Sequence, residues 1–277
     1  MFTEGCLMTR RILTIVLWLV ALGTVNVASA ETDAEEQTKR CQKGEASACW
    51  LLAYRYDTGT GVTQDYAKAA ELYRKACEGK AAGGGCWSLG RMYEKGEGVT
   101  QDFFKAVELY RKACDGKDAG GCYNLGVMYA EGTGVKQDFF KAVELYRKAC
   151  DGQDASGCSD LGRMYEKGEV VTQDFFKAVE LYRKACDEQE ARGCSNLGAM
   201  YEQGTGVKQD YFKAVELYRK ACDGQSASGC LSLGWMYVLG NGVRQSDVDA
   251  LTFFGKACDL KNERGCKRYA EFKTGKK

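Results

Sequence analysis

A repeat with a step of 36 residues constrains this chain more than any other feature of its sequence. The segment from Cys114 to Ala149 returns almost unchanged from Cys150 and Cys186, and only the glycine run at 83–85 adds one residue to the step. Looser copies begin at Cys41, Cys77, Cys222 and Cys258. A fixed period between about 20 and 50 residues is typical of solenoids, in which each unit buries its apolar face against its neighbours. The sequence therefore predicts a stacked repeat protein.

Each copy of the repeat contains two helical patterns. After Asp138, a predicted N-cap, apolar residues recur with helical spacing through Tyr146. We expect Gly116 to end the equivalent helix in a left-handed conformation. A second helix is predicted from about residue 119 to residue 131, where Gly126 would let a neighbouring backbone approach closely. The predicted fold class is all-α, an αα-hairpin solenoid.

Composition excludes several function classes. The chain has 277 residues and a formal net charge of +1, and its basic residues alternate with acidic ones along the predicted helices. This pattern favours neither nucleic acid nor an anionic membrane as a partner. The sequence contains no histidine, which is the commonest general base and a common zinc ligand. We therefore predict no metal site and no cofactor.

The first 30 residues have the pattern of a secretory signal peptide. Arg10 and Arg11 precede an apolar run at 12–22, and small residues at 28–30 form a cleavage site. The run is too short to span a bilayer. We expect residues 1–30 to be removed and residues 31–277 to form a secreted or periplasmic solenoid without a membrane anchor.

Fourteen cysteines remain after this segment, and they fall into pairs eight or nine positions apart. An even number of cysteines in an exported chain predicts a disulfide framework, each bridge closing a short loop worth roughly 2–2.5 kcal/mol. Free buried thiols and zinc sites are the alternatives, and zinc is disfavoured without histidine or a C-x-x-C pair. The predicted bridges are Cys41–Cys49, Cys77–Cys86, Cys114–Cys122, Cys150–Cys158, Cys186–Cys194, Cys222–Cys230 and Cys258–Cys266.

Two sequence runs resemble a known family. Residues 119–135 (AGGCYNLGVMYAEGTGV) and 141–150 (KAVELYRKAC) are similar to Sel-one-like repeats, which are relatives of tetratricopeptide repeats. The cysteine pairs and the signal peptide resemble those of the secreted Helicobacter cysteine-rich proteins. This resemblance covers residues 41–266 and implies a right-handed superhelix of seven disulfide-stapled hairpins in a bacterial oxidising compartment. Its units would start near residues 41, 77, 114, 150, 186, 222 and 258.

The resemblance also implies two functions from different classes. The cysteine-rich family is classed with penicillin-binding proteins and β-lactamases, whereas related repeats serve as protein-interaction scaffolds. One departure from the repeat concerns Val170, which replaces the second glycine of the turn found at Gly98, Gly134 and Gly206. Valine at this point requires either a turn without a positive φ or backbone strain.

A candidate binding face follows from comparing the repeats with one another. Counted from the second cysteine of each pair, positions +1, +5 and +8 vary and lie on the helix side opposite the predicted core stripe. First helices line the concave surface of repeat solenoids, and three exposed tryptophans there favour ligand binding over free drift. Position +2 adds Asn124, Asp160 and Asn196 as groups able to hold a peptide backbone. The predicted ligand-binding residues are Trp50, Tyr54, Trp87, Arg91, Tyr123, Asn124, Arg163, Glu166, Asn196, Glu202 and Trp235.

A catalytic site is much less well supported. A serine β-lactamase needs an S-x-x-K motif, and no serine in the chain has lysine three residues later. Residues 273–275 spell the K-T-G box of such enzymes, but in a polar tail instead of a strand. Carboxylates such as Glu94 could act as bases, as any exposed helical carboxylate could. The sequence identifies no catalytic residue.

These observations favour an exported scaffold that binds a peptide, a protein or a peptidoglycan-like fragment on its concave face. The alternative hypothesis is a β-lactamase that hydrolyses or binds β-lactams, as the resemblance implies.

Overall fold

The computed structural model describes residues 33–79 and 83–275, and within them the chain forms α-helices and no strand. The predicted signal peptide lies outside the described residues. Helix α1 covers residues 33–42. The chain then continues as helix pairs, and this αα-hairpin solenoid confirms the predicted fold class. In none of the described helices is there an apolar stretch of the length needed to cross a membrane.

First and second helices alternate along the chain. The first helices are α2 (Ala46–Thr58), α4 (Gly83–Lys95), α6 (Ala119–Glu131), α8 (Ala155–Lys167), α10 (Ala191–Gln203), α12 (Ala227–Leu239) and α14 (Glu263–Lys273). The second helices are α3 (Tyr66–Glu78), α5 (Phe103–Asp115), α7 (Phe139–Asp151), α9 (Phe175–Asp187), α11 (Tyr211–Asp223) and α13 (Asp247–Asp259). Two compact units divide the chain, one ending at Gly116 and the other beginning at Lys117. Within each unit every helix packs against the next, and several first helices also contact the first helix of the following pair.

The predicted N-caps are confirmed. The Asp138 side chain accepts a hydrogen bond from the backbone N–H of Lys141 at 3.1 Å, and Asp174 does the same for Lys177 at 2.9 Å. Each cap satisfies one of the backbone donors that the first turn leaves free. The second helices therefore begin at the same point of every repeat.

The predicted left-handed conformation of Gly116 is wrong by one residue. Gly116 has φ −75°, whereas Lys117 has φ 64°. Gly152 and Gln153 repeat the arrangement with φ −81° and 68°. The glycine stays close to helical values, and the next side chain takes the left-handed position.

Replacing Gln153 by glycine is expected to raise the free energy of unfolding by about 0.5–1 kcal/mol, because glycine adopts a positive φ without the Cβ clash. The matched control is Gln203→Gly, at the exposed last residue of α10. This substitution should lower the free energy of unfolding by up to about 1 kcal/mol. Urea unfolding of both variants measures the difference. Equal destabilisation by the two substitutions would contradict the left-handed assignment.

In the turns from first to second helix, the first glycine has a left-handed conformation. Gly132 has φ 75° and Gly168 has φ 69°. Val170 avoids a positive φ, as one of the two predicted solutions requires. At the equivalent position of the fifth repeat, a Cβ on Gly206 would lie 2.5 Å from the carbonyl oxygen of Phe175. Valine cannot make that close contact, so this turn differs from the others.

A buried aromatic ring and a glycine are in contact at the centre of the helix pairs from α4 onward. Tyr182 is fully buried, and a Cβ on Gly162 would lie 2.8 Å from its ring. The same distance is 2.9 Å between Gly126 and Tyr146. The expectation that a backbone approaches Gly126 is therefore wrong, since the close neighbour is a side-chain ring of the following helix.

Disulfides join the end of each second helix to the beginning of the next first helix. Both cysteines of the Cys150–Cys158 bridge are buried, and their Cα atoms lie 4.5 Å apart. Cys114 and Cys122 are disulfide-bonded as well. Neither the free-thiol alternative nor a zinc site is found at these cysteines, and the disulfide-stapled hairpins are confirmed. The other described bridges are Cys41–Cys49, Cys77–Cys86, Cys186–Cys194, Cys222–Cys230 and Cys258–Cys266.

Candidate functional site

The variable positions of the first helices are less exposed than the sequence suggests. Trp50, Trp87 and Trp235 are all half-buried, so the expectation of three freely exposed tryptophans is wrong. Tyr54 is 47% exposed. Trp50 reaches from α2 to α4, and Trp235 reaches from α12 to α14.

Two of the tryptophans have contacts that explain their burial. The Trp50 indole N–H donates to Ser88 Oγ at 3.2 Å, and its ring stacks on Tyr54 at 5.8 Å between centroids. Trp235 meets Phe254 edge-on at 5.6 Å, with the Arg268 guanidinium 4.7 Å from its ring centre. Both side chains contribute to packing between repeats.

Trp87 differs from the other two. Arg91 lies over the Trp87 ring at 5.1 Å, and the Trp87 Nε1 atom is buried without a hydrogen-bond partner among the described residues. These two predicted residues are therefore in contact with each other.

Carboxylates at position +8 are bound to core tyrosines. Glu166 accepts a hydrogen bond from the Tyr182 hydroxyl at 2.5 Å, and Glu202 accepts one from Tyr218 at the same distance. Burial and then the bonded glutamate raise the pKa of both tyrosines far above its ordinary value. Glu166 and Glu202, predicted to bind ligand, thus have a structural partner within their own repeat.

The second unit contains a buried charge cluster centred on Asp160, whose side chain is only 7% exposed. Its carboxylate accepts a hydrogen bond from the Tyr123 hydroxyl at 3.1 Å and pairs with Arg163 at 3.1 Å and Arg192 at 3.7 Å. Burial, followed by the charge of Asp160, raises the pKa of Tyr123. Burial opposes the charge on Arg192, but Asp160 outweighs it and raises that pKa too. The cluster joins α6, α8 and α10.

A cavity of about 610 Å³ opens beside this cluster, and it lies wholly within the second unit. Its charged lining residues include Asp160, Arg163 and Arg192. Its apolar lining residues are Val127, Ala130, Phe139, Met164 and Val170. The Tyr146 ring also lines the cavity. A mixed lining of this kind is typical of ligand sites, in which few polar groups fix orientation within an apolar pocket.

Departures from the repeat create this cavity. Position +5 is arginine at Arg91 and Arg163 but valine at Val127, and position +8 is alanine at Ala130. Smaller side chains leave empty the space that longer ones fill in other repeats. Val170 cannot make the close contact that a glycine makes with the preceding second helix, and it lines the cavity together with Phe139.

The structure brings together only some of the predicted ligand-binding residues. Tyr123 and Arg163 lie at the cavity, while Asn124 and Asn196 are half-buried residues outside its lining. Trp50, Tyr54, Trp87, Arg91 and Trp235 also lie elsewhere.

Sequence reasoning missed the role of Arg192. This residue occupies a position that Gly120, Ser156 and Ser228 hold in neighbouring repeats, and that contrast could have indicated it.

The K-T-G run does not form an enzyme-like element. Lys273 is the last residue of α14, and Thr274 caps this helix. In serine β-lactamases the motif lies beside a nucleophile within the S-x-x-K arrangement that this sequence lacks. These three residues form a helix end.

Comparison with known proteins places this arrangement in a family. The Sel1 repeat pattern matches residues 46–80, 84–118, 119–154, 155–189, 191–226 and 227–262. No curated protein matches the sequence significantly.

Solved structures give the same result. The chain is 34% identical to c5321, a protective antigen present in uropathogenic Escherichia coli strains, over 85% of this chain, with a TM-score of 0.74. It spans 50% of the length of that protein. A Sel1 repeat protein from Oxalobacter formigenes is 25% identical, with 86% of this chain and 96% of the other covered and a TM-score of 0.74. Helicobacter pylori cysteine rich protein B is 34% identical over 47% of this chain and 93% of its own, with a TM-score of 0.39. The six matched repeats show that the chain belongs to the Sel1 repeat family.

Proposed function

We propose that this protein is an exported scaffold that binds a peptide or protein segment at the cavity of its second unit. The observation that carries the proposal is the cavity itself, whose lining combines apolar side chains at repeat-specific positions with the Asp160 cluster. Sel1 and tetratricopeptide-like repeats generally mediate protein–protein interactions. A bound segment would place an apolar side chain against Val127 and Val170 and its polar groups near Arg163.

The surroundings of the cavity suit a macromolecular ligand. The side chains of Arg163 and Arg192 are 49% and 52% exposed. Arg192 is also bound to Glu190 through its Nε atom, but a guanidinium carries five N–H donors, so both arginines have donors left for a ligand. Phe139, another lining residue, is 41% exposed. Partly exposed arginine and aromatic side chains around a pocket are typical of the centre of protein interfaces.

The disulfides support an extracellular or periplasmic site of action, because bridges of this kind persist in oxidising compartments. A peptidoglycan-like fragment carries a peptide stem and would be recognised by the same groups. The β-lactamase alternative gains no support from the helix-end position of Thr274, and we do not propose it.

Replacing Val127 by tryptophan is expected to fill the cavity and weaken peptide binding at least tenfold. The fold accepts this residue type here, because Trp235 occupies the same position of α12. Ligands are first selected from a displayed library of random dodecapeptides, alongside peptidoglycan fragments, and affinities are then measured by fluorescence polarisation.

The matched control is Ala199→Trp, at the same position of α10 but outside the cavity lining. It should leave affinity unchanged. Failure to select any ligand, or an equal loss with both variants, would refute binding at this cavity.

A further inference from the structure

Most repeats contain an internal pair of tyrosine and carboxylate. The tyrosine lies at the centre of the second helix, and the carboxylate lies at position +8 of the first helix. Tyr73 donates to Asp57 at 3.2 Å, and Tyr182 donates to Glu166 at 2.5 Å. The remaining pairs of this kind are Tyr110 with Glu94 and Tyr218 with Glu202. The last repeat has Phe254 and Val238 and so lacks both groups.

The third repeat has the donor without the acceptor. Tyr146 is present, but Ala130 stands where the carboxylate would be. Tyr146 is only 2% exposed and lines the cavity, and its hydroxyl has no hydrogen-bond acceptor among the described residues. The hydroxyl donates no hydrogen bond within the described chain and belongs to a residue of the cavity lining, so a ligand that supplies an acceptor gains this interaction.

In both the first and the third repeats, an arginine of the following first helix acts on the core tyrosine. Arg91, from the following first helix, is close enough to act electrostatically on the Tyr73 hydroxyl that holds Asp57. Arg163 occupies the same position relative to Tyr146. The third repeat thus retains the tyrosine and the arginine of the first repeat and lacks only the carboxylate.

We infer that the cavity binds a carboxylate of the peptide or protein ligand, which takes the place that Asp57, Glu94, Glu166 and Glu202 occupy in the other repeats. The carboxylate accepts a hydrogen bond from Tyr146 and pairs with Arg163. This inference rests on the proposed peptide-binding function and names the chemistry of the ligand. An apolar side chain next to the carboxylate would pack against Val127 and Phe139.

The charges around the cavity permit an added anion. Asp160 is already held by Tyr123 and two arginines, and Glu169 lies 3.8 Å from Lys167. Glu131 is the remaining acidic residue of the lining, and it and Asp160 act on the Tyr146 hydroxyl along with Arg163. Three basic and three acidic side chains line the cavity, so its own charges balance. Glu166 shows that a carboxylate bound to a tyrosine is compatible with Asp160 and Arg163 nearby, because both act on its partner Tyr182.

The carboxylate has two sources in a peptide, an acidic side chain or the C-terminus. Peptides selected as above are synthesised in matched forms, with each Glu or Asp changed to its amide and with the C-terminal carboxyl changed to an amide. Affinities for the full mature chain are measured by fluorescence polarisation at constant salt. One of these changes is expected to weaken binding at least tenfold, and the change that does so identifies the source.

Three variants test the role of this chain's own residues. Tyr146→Phe should weaken the acidic peptide about tenfold and leave its amide form unaffected, and the fold should tolerate it because this hydroxyl lacks an internal partner. Ala130→Glu supplies a carboxylate within the chain and should abolish binding of the acidic peptide. Val238→Glu, at the same position of α12, is its matched control and should change nothing. The Tyr146–carboxylate pair should also raise the melting temperature of Ala130→Glu.

The outcomes separate the inference from the function on which it rests. Peptides that bind equally well as acids and amides, and that lose affinity in Val127→Trp, would overturn the carboxylate inference and leave the scaffold function standing. A selection without any binding peptide would remove the proposed function itself. Loss of acid preference in Tyr146→Phe, with folding intact, would support the inference.

Discussion

Replacing Cys150 and Cys158 together by alanine is expected to lower the free energy of unfolding by about 2.5 kcal/mol. The bridge closes a loop of eight positions, and its removal returns conformational entropy to the unfolded chain. The destabilisation should be confined to the helices around the bridge. These include α9, because its Lys184 donates a hydrogen bond to the Cys150 carbonyl oxygen at 2.7 Å. Three successive helices thus meet at this bridge. Urea unfolding gives the total loss, and hydrogen exchange of α7, α8 and α9 locates it.

The matched control is the Cys258–Cys266 bridge near the end of the described chain. It closes a loop of the same length, but both of its cysteines are only half-buried. Its removal should increase exchange in α13 and α14 and leave α7 to α9 protected. Equal effects of the two double variants on α7 to α9 would show that the bridges do not act locally.

The sequence predicted the helices well because their determinants are local. The 36-residue step, the Asp138 cap and the apolar spacing through Tyr146 each depend on residues of one repeat. The error at Gly116 arose because both a glycine and the residue after it can adopt a left-handed conformation. Only the chain path after the helix decides between Gly116 and Lys117.

The candidate site was harder to predict because it depends on contacts between repeats. The sequence shows that position +8 varies but not that its carboxylate pairs with a tyrosine sixteen residues later, so it predicts Glu166 to be an exposed ligand-binding residue. It predicts three exposed tryptophans because a helical projection ignores the neighbouring helices. Trp50 illustrates the point, since its partner Ser88 lies 38 residues away.

What marks the site in the sequence is a set of departures in neighbouring repeats. Ala130, Val170 and Arg192 belong to three different repeats, and no single repeat shows the cavity. The structure places Ala130 and Val170 in one lining with Arg192. In repeat proteins of this kind, departures that converge in space indicate a site more directly than the sequence type of any one residue.

Raising the pH above 10 is expected to destabilise the protein steeply. Burial raises the pKa of Tyr73, Tyr146, Tyr182 and Tyr218 well above the value of about 10 that they have when unfolded. Because the folded pKa is raised, their contribution to stability is fully present below pH 10 and is lost as the unfolded tyrosines ionise above it. Each raised tyrosine costs about 1.4 kcal/mol for every pH unit above 10, so these four together cost about 5.6 kcal/mol near pH 11.

The measurement is absorbance at 295 nm after a rapid pH jump, recorded within seconds so that disulfide exchange does not interfere. Tyrosine ionisation of these residues should occur together with loss of helical circular dichroism. Tyr146→Phe and Tyr182→Phe should each reduce by about one the number of protons released on unfolding above pH 10. At neutral pH only Tyr182→Phe should lower the free energy of unfolding, because of these two tyrosines only Tyr182 is bonded to a carboxylate. Ionisation of all tyrosines near pH 10 with the helices intact would contradict their burial.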